Sequence, residues 1–285
     1  MLPELLYKPK LGVQAMFLPG VSGKNVDKET MFKVDQIFCR GIEYIQQFLE
    51  DIDADRDHTV LEYHRVQLDK EKCRMPDGVK VAVFVEDIEE AGAWNASAIG
   101  YRAEIHVPQM TMDKLPEDLH NFEILSEEGK VAYQLLLNHF LHEVLHMFGA
   151  FHSDSGIMSG VIQLFDRSDN GFQLINALDD ITAKIVSETL LDEIFNKSPS
   201  VIMSFDRESN SLYLSSDIEI VLVVFLKQTR YTKKFFYCYT SEFHCTVPCE
   251  SEWDAVFVQF LYGASIYYTQ SSIYNNRVFD RFRGR

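Results

Sequence analysis

Between residues 27 and 52 the apolar positions fall at three- and four-residue steps: Met31, Val34, Phe38, Ile42, Ile45, Leu49 and Ile52. That period predicts an amphipathic helix, with Asp27 as its cap. The period then shortens to two. "TVLEYHRVQL" (59–68) and "VKVAVFVED" (79–87) predict strands, joined by a loop that contains the turn signal "MPDG". "IGYRAEIHV" (99–107) alternates cleanly, with Tyr101, Ala103, Ile105 and Val107 on one face and Arg102, Glu104 and His106 on the other. Helical spacing returns from about Glu127 to Met147. A second long helix is predicted over roughly 172–196, with Ile175, Leu178, Ile181, Ile185 and Ile194 along one side. "NKSPS" (196–200) interrupts the pattern and marks the expected division into domains 1–198 and 199–285. Beyond it lie short β-rich runs: "VIMSF", "SLYLS", "IEIVLVVFL", "KKFFYCYT", "AVFVQFLYG" and "SIYYTQ". Such spacing predicts a small β-sandwich or barrel after an α+β domain.

Composition narrows the class of partner. The chain carries 27 Lys and Arg against 43 Asp and Glu, a formal charge of −16. Such an acidic chain is repelled by nucleic acid and by anionic membrane surfaces. No apolar run approaches the roughly 20 residues of a membrane span; the longest, "IEIVLVVFL" at 218–226, suits a buried strand. No signal peptide is visible in "MLPELLYKPKLGVQAMFLPG", whose prolines and lysines break the apolar core that a leader needs. The compartment stays open. Five cysteines (39, 73, 238, 245 and 249) are too few for a disulfide framework. Cys238, His244, Cys245 and Cys249 crowd together, but at no common zinc-finger spacing, and read as thiols or one local disulfide.

The chemistry concentrates in "HEVLHMFGAFHSDSGIMSG" (142–160). His142 and His146 are four apart, about 40° around a helix and one turn along it, so both imidazoles reach a single ion. His152 cannot join them on the same helix, because six further residues rotate it by about 240° and raise it about 9 Å. The helix must stop and the chain turn back. Gly149 stands where a helix C-terminus calls for the left-handed conformation that glycine adopts cheaply. Three neutral imidazoles leave a zinc ion one open position, the mark of a catalytic site. Glu143, beside the first ligand, is placed to act as general base on the water held there, and peptide hydrolysis is the chemistry that results. His139, one turn earlier, reads as a histidine that supports the ligands or is merely packed, rather than as a ligand.

"HEVLHMFGAFH" followed by "GIMSG" resembles the metzincin clan of zinc endopeptidases. The resemblance implies His142, His146 and His152 as ligands of one zinc, Glu143 as general base, Gly149 as the turn residue and Met158 as the Met-turn floor beneath the metal. It implies a twisted mixed sheet with an antiparallel edge strand, an active-site helix and a C-terminal helix. It implies a protein or peptide substrate that pairs with the edge strand, for which "IGYRAEIHV" is the candidate through Gly100, Tyr101, Arg102, Ala103, Glu104 and Ile105. Secretion is the clan's habit. The resemblance spans roughly residues 10–196, but only 142–160 are specific. Gly160 stands where some members place a tyrosine, and Met158 follows His152 by only six residues, so no subfamily is assigned. "KCRMPDG" (72–78) loosely resembles the cysteine switch of matrixin propeptides, yet reads as a hairpin turn with an incidental Cys73. The competing class is a non-catalytic module, in which zinc holds the fold and the C-terminal β-rich domain binds a partner.

Overall fold

A computed structural model describes residues 10–19, 25–52, 60–66, 79–86, 95–99, 102–119, 125–159, 165–168, 171–174, 178–190, 199–228, 230–249, 252–261 and 265–274. The architecture is mixed α+β, with one largely parallel sheet and one antiparallel sheet. Contacts divide the chain into two units. The first holds the described residues up to Phe148 together with 165–174; the second holds Gly149–Ser159 and those from Leu178 onward.

The first unit is built on five strands: β1 (Lys10–Pro19), β2 (Val60–Val66), β3 (Val79–Glu86), β4 (Asn95–Ile99) and β5 (Arg102–Pro108). Their order is β2-β1-β3-β5-β4, all neighbours parallel except β4, which runs antiparallel to β5. β1 escapes sequence reading because it is a central strand. Val13, Gln14 and Ala15 are consecutive and all buried, so no polar alternation advertises it. Helix α1 (Lys28–Ile52) begins as expected. The Asp27 carboxylate accepts from the Thr30 backbone N–H and hydroxyl, both at 2.8 Å, and these bonds hold its pKa below the usual range. After the four-residue α2 (Gln109–Met112), helix α3 (Glu127–Met147) is capped by Ser126, whose Oγ accepts from the Gly129 N–H at 3.0 Å. α1 and α3 meet closely: the rings of Phe38 and Phe140 stack at 4.0 Å. Gly41 permits this approach, because a Cβ there would lie 2.6 Å from Phe140 Cδ1.

Two expectations for this unit change. The predicted edge strand is internal. Ala103 pairs with Val81 of β3 on one side and Ala98 of β4 on the other, so both hydrogen-bonding edges are occupied. The edge belongs to β4, a five-residue Ala/Ser-rich strand too short to show a pattern. The long helix predicted over 172–196 also gives way. Residues 171–174 form β7 (Gly171–Leu174), paired antiparallel with β6 (Phe165–Ser168), and helix α4 covers Asp180–Thr189, while 175–177 and 191–196 lie outside the described residues. Its true start is Asp179, whose carboxylate accepts from the N–H groups of Ile181 and Thr182. "DNG" at 169–171 is a turn signal that the isoleucine spacing obscured.

In the second unit all strand pairs are antiparallel: β8 (Val201–Asp206), β9 (Ser211–Lys227), β10 (Arg230–Pro248), β11 (Ala255–Phe260) and β12 (Ser265–Thr269), followed by the short α5 (Gln270–Tyr274). "SLYLS" and "IEIVLVVFL", two runs in the sequence, are one bent strand. β9 pairs with β8 through Ser211–Ser216 and with β11 through Ile220–Leu226, while β10 follows its other edge. At the bend the Ile218 N–H is taken by Ser216 Oγ at 3.1 Å, which satisfies the backbone without breaking the strand. β11 is buried at every position. Val256, Val258 and Phe260 face a core with Leu212, Phe225 and Trp253; Ala255 and Phe257 face the opposite side, where Ile181 and Ile185 of α4 cover them. That packing accompanies the placing of α4 in the second unit.

Candidate metal centre

Helix α3 delivers His142, Glu143 and His146 in its last turns. Leu141, Val144 and Leu145 are buried between them, so the helix is locked by its apolar face while the two imidazoles are only half-buried. The rings stand nearly perpendicular, at 85° with centroids 4.6 Å apart, and their Nε2 atoms approach to 3.0 Å. Phe148 caps the helix, and Gly149 follows with φ +90°. That conformation is strained for any residue with a Cβ, and a Cβ there would also lie 3.4 Å from Ile185 Cγ2. The chain turns, and three residues later His152 presents its ring.

One ligand atom from each of His142, His146 and His152 lies within 4.8 Å of the others, a grouping able to hold one metal ion. Nitrogens on a tetrahedral ion with bonds of about 2.0–2.1 Å stand about 3.3 Å apart, close to the spacing of the helix pair. The donor set is three imidazoles with no carboxylate among them, which suits a borderline ion over calcium or magnesium. No other such cluster occurs among the described residues. Cys249 is buried in the apolar core, its Sγ 3.7 Å from the Val247 carbonyl oxygen. Burial pushes that thiol up to about 11, the opposite of what a metal-binding thiolate needs. Cys238 lies where no side chain is described, and Cys73 lies outside the described residues.

Glu143 is 5% exposed, and its Oε2 has no hydrogen-bond partner among the described residues. Removal from water pushes its carboxyl up to about 7. An orphaned acid inside a helix that supplies two imidazoles is costly for the fold, and such cost collects where chemistry is done. His139 has the packed role expected of it. Its Nδ1 lies 2.7 Å from the Leu135 carbonyl oxygen, and burial lowers its pKa.

Beyond His152 the chain closes a small ring. The Ser153 N–H donates to the Met158 carbonyl at 3.1 Å, and Ser153 Oγ donates to Ser155 O at 2.5 Å. Ser159 donates to Gly156 O from both N–H and Oγ, which shapes the 3-10 turn Ile157–Ser159. Met158 is fully buried. Six residues from His152 to Met158 suffice because the Ser153–Met158 bond ties the neighbour of the histidine directly to the methionine. Of the strand residues expected to bind substrate, Arg102, Ala103, Glu104 and Ile105 lie on the internal β5, with Ala103 and Ile105 buried; Gly100 and Tyr101 lie outside the described residues. Sequence reading passed over Phe151, which carries no periodic signal. Its role arises from tertiary contacts.

No protein-family model and no curated protein matches the sequence. Among solved structures, the chain is similar to the crystal structure of catalytic inactive OgpA from Akkermansia muciniphila in complex with an O-glycopeptide (glycodrosocin) substrate. Identity is 9% and the TM-score 0.49, over 92% of this chain and 93% of that one. Sequence divergence of that depth leaves the site's own geometry to speak for its chemistry.

Proposed function

We propose that the chain is a zinc-dependent endopeptidase of metzincin type, with His142, His146 and His152 as the metal ligands and Glu143 as the general base. One observation carries the reading: three converging imidazoles and a buried carboxylate whose Oε2 has no partner among the described residues share eleven consecutive residues. A zinc ion held by His142, His146 and His152 would supply Lewis acidity to a bound water and to a carbonyl. Glu143 would take the proton of the attacking water on Oε2 and deliver it to the leaving amine, so that a water O–H bond and the C–N bond break as C–O and N–H bonds form. The dry setting of this carboxylate strengthens its interaction with the reacting groups. A purely structural metal site has no use for such an acid, which argues against the zinc-stabilised binding module.

Met158 serves in this reading as the apolar floor of the metal site, held in register by its bond to Ser153. The substrate is a protein or peptide. It adds as an extended strand to the outer edge of β4, which takes the place the sequence assigned to β5.

The test is metal analysis of the purified chain together with cleavage of a diverse peptide library, with and without a chelator. The expected result is about one zinc per chain and chelator-sensitive cleavage. Glu143→Gln should retain zinc and lose at least about a thousandfold in rate, as removal of a zinc-site base implies. Undiminished cleavage by that variant would sink the mechanism.

A further inference from the structure

His152 sits on a loop whose footing is in the C-terminal unit. Its neighbour Phe151 lies edge-on to Phe257 of β11, with ring centroids 5.2 Å apart at 69°. It also stacks against Tyr267 of β12, the register partner of Phe257, at 6.2 Å and 23°. Both rings belong to the face of the antiparallel sheet that α4 covers through Ile181 and Ile185. Gly149, at the start of the loop, faces the same helix. Two residues on either side of one short turn are thus seated on one apolar platform, and His152 directly follows the second.

The side chain after an anchored aromatic has little freedom left. Fixing the Phe151 ring fixes the peptide plane that it shares with His152, and the Ser153–Met158 bond fixes the next one. Residues 148–156 form no helix, and their one strand-like feature is an isolated bridge at His152. We propose that Phe151, packed on Phe257 and Tyr267, is a positioning residue for the third metal ligand, His152. This inference rests on the reading of the three histidines as a zinc site. It gives the C-terminal strands a role other than capture of a partner.

The test measures zinc affinity of the full chain by competition with a chromogenic chelator, beside the visible spectrum of the cobalt-substituted protein and the melting temperature of the metal-free form. Removal of a side chain that orients a ligand typically weakens metal binding 10- to 100-fold. Phe151→Ala and Tyr267→Ala are each expected to lose at least tenfold in zinc affinity and to weaken the tetrahedral cobalt bands. Phe151→Tyr, which keeps the ring, is expected to restore both. A merely structural role would lower the melting temperature without moving the cobalt spectrum of the molecules that remain folded. Affinity within twofold of wild type in both alanine variants, while His142→Ala abolishes binding, overturns the proposal and leaves the zinc reading intact. Failure of the wild-type chain to bind zinc overturns both.

Discussion

The two halves of the proposed metal centre are made in different ways. His142 and His146 are placed by the helix repeat alone: any α-helix with histidines four apart puts two imidazoles on one side, and here buried leucines and a valine hold that helix in place. His152 has no repeat to rely on. Its position depends on a glycine at positive φ, a backbone bond from Ser153 to Met158 and an aromatic contact more than a hundred residues away in sequence. One half is local and stiff, the other tertiary and adjustable. A site built this way keeps two ligands poised even when the third is displaced.

Ligand removal breaks the comparison most directly. Structural zinc sites gain about 10–16 kcal/mol from four ligands, which is about 3–4 kcal/mol, or two to three decades of affinity, for each. His146→Ala leaves one helical imidazole and the loop histidine, which must then be held together by tertiary contacts. His152→Ala leaves the preformed pair. We expect zinc affinity to fall about a thousandfold in the first variant and about a hundredfold in the second, as read by chelator competition. Equal losses would mean that the helix pair is no better organised than the loop.

The same division explains what was legible in the sequence. Spacing in "HEVLH" carried the pair of helical histidines and the glutamate between them, and the helix containing them ends at Met147 as its pattern predicts. Amphipathic α1 was legible because one face is wet. β1 was not, because Gln14 is buried along with its apolar neighbours and no alternation survives. The identity of the edge strand was hidden too. β5 alternates in burial as a one-sided strand should, yet alternation reports on the faces of a strand and says nothing about its edges. Pairing is decided by partners elsewhere in the chain, and β4 is too short to announce itself. Phe151 was overlooked for a related reason: an aromatic two residues after a glycine has no meaning until Phe257 and Tyr267 arrive against it.

Gly149 joins the two halves, so its substitution sharpens the contrast. Gly149→Ala must hold an alanine at φ +90° and press a methyl to 3.4 Å from Ile185 Cγ2. The left-handed conformation costs about 1–2 kcal/mol, and the melting temperature should fall accordingly. The strain is released most easily by moving the loop, since the helix is locked by its buried face. Zinc affinity should therefore fall several-fold, while far-UV helicity stays at the wild-type level. A loss of helicity in place of affinity would show that α3 yields before the loop.

The smallest effect is expected at the other end of the same helix. Ser126→Ala removes the Oγ that accepts from the Gly129 N–H and should cost about 1 kcal/mol of stability. His142 is 16 residues further on, about 24 Å along the axis, and the intervening apolar face is buried from Ala132 to Leu141. Fraying of the first turn then has no route to the imidazoles. Thermal unfolding of the variant should shift down by a few degrees with zinc affinity unchanged within twofold. Should affinity follow stability, the helical half of the site would depend on the whole length of α3, and its stiffness could no longer be assigned to the packing of its last two turns.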